Sequence, residues 1–109
     1  MLRAPELSAT EALAQGSAEG LRGLTLDTTG VTTKTGVLVA AGRMLGAGDD
    51  FGVNLDALYD VLRDIEEPTA IAWSGWSELA EADPTAFEGI VEVFDARSQE
   101  APLSVLLCG

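Results

Sequence analysis

Apolar residues recur along this chain at two spacings, and the switches between them mark its elements. From 55 to 65 the spacing is helical: Leu55, Leu58, Leu62 and Ile65 form a stripe at i, i+3 and i+7, while Asp56, Tyr59, Asp60 and Arg63 fall on the other side. Asn54 is a preferred N-cap, so this helix is expected to start at Leu55, and Gly52 before it can take backbone conformations that other residues resist. Val37, Leu38, Ala41, Met44 and Leu45 define another helix, capped by Thr33 or Thr35 and stopped by Gly46 and Gly48. A longer one opens at Asp83-Pro84, the Asp as cap and the Pro at the first helical position, with Phe87, Ile90, Val91 and Phe94 on its apolar face. Between them a short helix carries Trp76 and Leu79, with Ser74 as its expected cap.

The other spacing is that of strands. Leu24-Thr25-Leu26 alternates and ends at the Asp27 to Gly30 turn, Ala70 to Trp73 is a short buried run after the Glu66-Glu67-Pro68 break, and Leu103 to Leu107 is apolar enough for both faces to be covered. Strands separated by helical crossovers predict an α/β fold: a small three-stranded parallel sheet flanked by about four helices, with right-handed connections. Residues 1–22 read as an N-terminal extension, partly helical or disordered, in which Ser8 caps Thr10 to Gln15 and Gly16 and Gly20 interrupt anything longer; residues 23–109 form the domain proper. At 109 residues there is room for one domain.

Charge changes the picture at the helix that opens at Leu55. Up to Ala47 four acids balance four bases, but from Gly48 onward fourteen acids face only Arg63 and Arg97, so the net charge of −12 belongs to the part that begins there. Asp56 and Asp60 lie four apart on one helix face, a like-charge spacing that costs roughly 0.2–0.5 kcal/mol and brings no cation to answer it. Such a pair is either a solvated acidic surface or a face reserved for a cationic partner. The field repels nucleic acid and anionic lipid and steers basic proteins.

Other chemistries have little to stand on. The chain has no histidine and a single cysteine, Cys108, so neither a zinc ligand set nor an internal disulfide can be assembled, and no metal or cofactor is expected. Trp73 and Trp76 read as core residues because the acidic field opposes stacking on nucleic acid. Paired carboxylates can act as glycosidase acid and base, but a chain this short offers no evident sugar cleft, so no enzyme is expected. Glu6 and Glu11 interrupt what a secretory signal would need, and no apolar run approaches the ~20 residues of a membrane span. A cytoplasmic protein without membrane contact is the expectation.

One run is more specific than any of these patterns. Phe51 to Asp60 resembles, without a gap, the aromatic-Gly-x-Asn-Leu-Asp-Ala-Leu-aromatic-Asp pattern of the barstar family of ribonuclease inhibitors, and the likeness continues from Leu24 to Leu107 through Trp73-Ser74-Gly75-Trp76 and Val93-Phe94. The resemblance implies a barstar-like sheet and helices, a chain that is monomeric when free, and inhibition of a basic secreted ribonuclease of the barnase type or a related guanyl-specific or toxin nuclease. It implies that Asp60 occupies the site of the RNA phosphate, that Asp56 pairs with enzyme cations beside it, and that Tyr59 holds the place of a family aromatic, usually Trp. Phe51, Gly52 and Asn54 match the residues that shape the loop before the helix. Asp50 stands where the best-known member has a second aromatic, Ala96 where it has a glutamate, and the stretch from Arg63 to Glu67 is one residue shorter and lacks a tryptophan found there. The alternative is an immunity protein or acidic interaction domain for a different basic toxin or protein partner.

Overall fold

Side-chain caps set several of the helix boundaries in the computed structural model, which describes residues 2–4, 8–18, 20–47, 51–100 and 103–108. Strand β1 spans Leu2–Ala4, helix α1 Ala9–Ala18 and strand β2 Arg22–Asp27. They are followed by α2 Lys34–Met44, α3 Leu55–Arg63, β3 Thr69–Ser74, α4 Trp76–Ala82, α5 Pro84–Glu100 and β4 Leu103–Cys108. The hydroxyl of Thr33 caps α2 by accepting from Gly36 N–H at 3.1 Å, and the Asp83 carboxylate caps α5 by accepting from Ala86 N–H at 3.1 Å. Gly46, with φ 72°, follows α2 in the left-handed conformation that ends helices.

The cap of α4 differs from expectation. Ser74 still belongs to β3, and its carbonyl accepts from Thr28 N–H at 3.0 Å. Gly75 takes the capping position instead, with φ 75° and no side-chain hydrogen bond. A Cβ at Gly75 would lie 2.7 Å from the carbonyl carbon of Thr28, so close backbone approach and a positive φ both demand glycine there.

The expected three parallel strands pair side by side as β2, β3 and β4, in the register Leu24↔Ile71 and Ile71↔Val105. The N-terminal extension then adds to them. β1 pairs parallel with β4 through Leu2↔Leu106, giving a sheet of order β1-β4-β3-β2, and α1 runs through Gly16 instead of stopping before it. Among the described residues there are five helices: the four expected to flank the sheet, and α1, the longer form of the short helix expected in the extension.

Alternation along the strands divides the core. Leu26, Ile71, Trp73, Val105 and Leu107 point to one face, where α2, α3 and α5 bury Val37, Leu38, Leu58, Leu62, Ile90 and Phe94 against them. Trp73 is fully buried, meets Phe87 and Phe94 at centroid distances of 5.7 and 5.8 Å, and satisfies its indole N–H on the Thr28 hydroxyl at 2.9 Å. Ala72, Leu106 and Cys108 point the other way, under Ala12 and Leu13 of α1. There is little room beneath that helix: a Cβ on Gly23 would come within 3.0 Å of the Leu13 side chain. Burial pushes the Cys108 thiol above its ordinary pKa. Among the described residues, no helix is long and apolar enough to cross a membrane.

Candidate functional site

The α3 helix starts where the sequence places it. Asn54 is extended (φ −152°, ψ 171°) and its side-chain oxygen accepts from Ala57 N–H at 2.8 Å, pairing one of the unpaired donors of the first turn. Leu58 and Leu62 are fully buried, and Leu55 leans on α5 so closely that a Cβ on Gly89 would lie 3.2 Å from it. With that stripe inward, Asp56 and Asp60 are turned out to solvent and Tyr59 is half-buried at the edge.

The loop before α3 is pinned from the other side. Phe51 lies over Gly42 of α2, where a Cβ would sit 2.8 Å from the ring, so the flat backbone of Gly42 is the seat of that ring. Gly52 does not use a positive φ, contrary to the sequence reading. Its lack of a side chain matters through space: its carbonyl accepts from Asn54 N–H at 2.8 Å, and a Cβ there would be 3.1 Å from the Asn54 amide nitrogen. Asp50 lies outside the described residues.

The carboxylates of α3 are not wholly unanswered, because Arg63 approaches Asp60 to 3.7 Å one turn along the helix. Both side chains remain about two-thirds exposed, at 63% and 64%, so water screens the pair and it breaks easily. Asp60 also stands at the rim of an open depression of about 640 Å³ between the end of α2, the Phe51 loop and α3. Leu45, Phe51, Val61 and Ile65 give it apolar walls, while Asp60, Asp64, Glu66 and Glu67 line it with acid, against one base among the described residues, Arg22. A surface of this kind suits a long cationic side chain, whose methylenes pack on the apolar walls while its charge meets the rim.

Tyr59 brings in two residues that the sequence reading missed. Its hydroxyl donates to Glu100 Oε2 at 2.9 Å, and the Arg97 Nη1 donates to the same oxygen at 2.9 Å. The Arg97 guanidinium carbon lies 5.4 Å from the centre of the Tyr59 ring. Arg97 is only 6% exposed, and its buried Nε has no hydrogen-bond partner. A signal for it existed: Ile90, Phe94 and Arg97 follow the i, i+4, i+7 spacing of the buried stripe, and a lone arginine on such a stripe needs a tertiary partner. Ala96 is exposed one residue earlier and Asp95 is half-buried.

Phe51, Gly52 and Asp60 line the depression between α2 and α3, Asn54 and Asp56 lie at the exposed start of α3, and Tyr59 turns instead toward α5, where it meets Glu100 and Arg97. A family model described as Barstar (barnase inhibitor) matches residues 21–107, leaving β1 and α1 outside the match. No curated protein matches the chain.

Proposed function

The chain belongs to the barstar family, described as barnase inhibitors, and from that premise we propose that it is a stoichiometric protein inhibitor of a basic secreted microbial ribonuclease, of the barnase type or related guanyl-specific kind. The observation that carries the reading is the capped α3 helix, which presents exposed Asp56 and Asp60 beside an acid-rimmed depression. A centre built to cleave phosphodiesters gathers cations around the phosphate. A carboxylate on a rigid helix meets those cations and offers no bond to break.

In this reading Asp60 takes the place of the phosphate and Asp56 pairs with cations beside it. The exchange costs Asp60 little, since the contact it surrenders is the screened 3.7 Å pair with Arg63. Phe51, Gly52 and Asn54 hold the approach loop in shape, Tyr59 contributes its exposed edge, and Asp50, next to Phe51 in the sequence, adds a carboxylate. The protein binds neither nucleic acid nor membrane, has no nuclease activity of its own, is monomeric when free, and acts in the cytoplasm, where such an inhibitor protects the RNA of the cell that makes the enzyme. A related reading, an immunity protein for a different basic toxin, draws support from Ala96, an exposed position without a carboxylate.

Titration of a panel of basic guanyl-specific ribonucleases, barnase among them, at nanomolar enzyme tests the proposal. Complete inhibition near one equivalent of at least one enzyme is expected. Undiminished activity across the panel refutes it, and inhibition of another basic nuclease would then favour the immunity reading.

A further inference from the structure

Resting on that reading, we propose that Val53 is a specificity-determining residue: an apolar knob at the tip of the loop before α3, which seats on an apolar patch beside the cationic centre of the nuclease. Among the described residues Val53 is the one large hydrophobic side chain left exposed, at 42%. The turn that displays it is held at both ends. Asn54 N–H donates to the Gly52 carbonyl at 2.8 Å, closing a three-residue turn with Val53 at its apex. On one side the Asn54 side chain accepts from Ala57 N–H, and on the other Phe51 lies over Gly42. Valine itself is stiff about χ1, so the tip surrenders little conformational freedom when it docks.

Folding supplies no equal reason for a valine there. An apolar residue just before a helix cap can staple the loop onto the fourth residue of the helix, here Leu58. Leu58 is fully buried on the inward side of α3, whereas Val53 keeps 42% of its surface in water, so the loop gains little of the burial that a staple provides. The run that marks the family fixes the residues on either side, Gly52 and Asn54, and leaves this position open. A side chain on which the loop does not depend, projecting beside the acids of α3, is suited to match one partner and mismatch another. The carboxylates steer a basic enzyme in, and an apolar contact sheltered among polar ones lengthens its stay.

Charge and burial predict opposite signs for one substitution. Val53→Glu adds an acid, so steering alone makes association with a basic enzyme faster and the complex no weaker. A glutamate pressed against an apolar surface is desolvated instead, and the complex falls apart sooner. With barnase as probe, or the panel enzyme inhibited in its place, stopped-flow and surface-capture measurements should show an off-rate raised at least about tenfold and an on-rate within about twofold of wild type. Val53→Thr keeps the shape but exchanges a methyl for a hydroxyl, and should raise the off-rate about fivefold. The urea midpoints of both variants should stay with wild type, since a stapling valine would lower the midpoint and leave the off-rate alone. Wild-type off-rates in both variants, or a lowered midpoint, overturn this inference alone while the unaltered protein still inhibits. Absence of inhibition by the unaltered protein across the ribonuclease panel overturns the proposed function and this inference with it.

Discussion

Replacing Asp60 by alanine should separate binding from stability, and the structure lets each side be estimated. On the folding side three small terms compete. The lost contact is the Asp60–Arg63 pair, 3.7 Å long and about two-thirds exposed at both ends, which contributes no more than about 0.5 kcal/mol. Removing Asp60 relieves its repulsion with Asp56 one turn back, about 0.2–0.5 kcal/mol, and alanine is the better helix former by up to ~0.7 kcal/mol. The sum is zero or slightly favourable. On the binding side, a carboxylate desolvated among enzyme cations leaves those cations buried and unpaired when it is truncated, a loss of about 2–5 kcal/mol or more, the magnitude known from charge pairs in this family's type complex. Equilibrium urea unfolding and inhibition titrations with the responsive ribonuclease measure both. The Asp60→Ala midpoint should equal or exceed wild type at unchanged m, while the inhibition constant rises at least thirtyfold, about 2 kcal/mol. A variant that inhibits as tightly as wild type, or that unfolds markedly earlier, refutes the placing of Asp60 on an exposed inhibitory face.

Leu58→Ala should show the reverse, losing roughly 2–5 kcal/mol of stability from a fully buried position while the molecules that remain folded still bind, as read by urea midpoint and active-site titration. Association with the nuclease should slow steeply as salt shortens the Debye length below ~8 Å, and a salt-independent on-rate would mean that the acids face away from the partner. Gly42→Ala gains up to about 1 kcal/mol of helix propensity, but its Cβ would stand 2.8 Å from the Phe51 ring, so the ring must move; stability should change little while binding weakens, and unchanged affinity would show that the Phe51 loop does not contact the enzyme. Ala12→Asp places a charge between α1 and the sheet, beside a thiol that burial holds above its ordinary pKa, so labelling of Cys108 by Ellman's reagent should accelerate; an unchanged rate would mean that α1 does not shield it.

Much of the site was legible in the chain because its determinants lie within a turn of one another. Asn54 capping Ala57, the Leu55, Leu58 and Leu62 stripe, and the outward pair Asp56 and Asp60 are all relations at i+3, i+4 or i+7, which helical geometry alone decides. The family run from Phe51 to Asp60 is equally local, and so was the strand pattern that predicted a parallel sheet. The near cation is local too, since Arg63 lies on the acidic side of the helix, three residues from Asp60.

What only the tertiary structure decided are the relations between residues far apart in sequence. The apolar β4 strand announces that both its faces are covered, but nothing in Leu103 to Leu107 says that α1, from the first eighteen residues, covers one of them or that β1 pairs along its edge. Gly42 carries no mark of being the seat of Phe51, because a glycine within a helix looks the same whether a ring or water lies over it. Tyr59 and Glu100 are 41 positions apart, and their hydrogen bond exists only because Leu55 and Leu58 dock α3 against α5. Hydrophobic periodicity determines which face of a helix turns inward, whereas the neighbour that face meets depends on how all the elements pack together, and it was that packing that set a buried arginine beside an exposed acidic face.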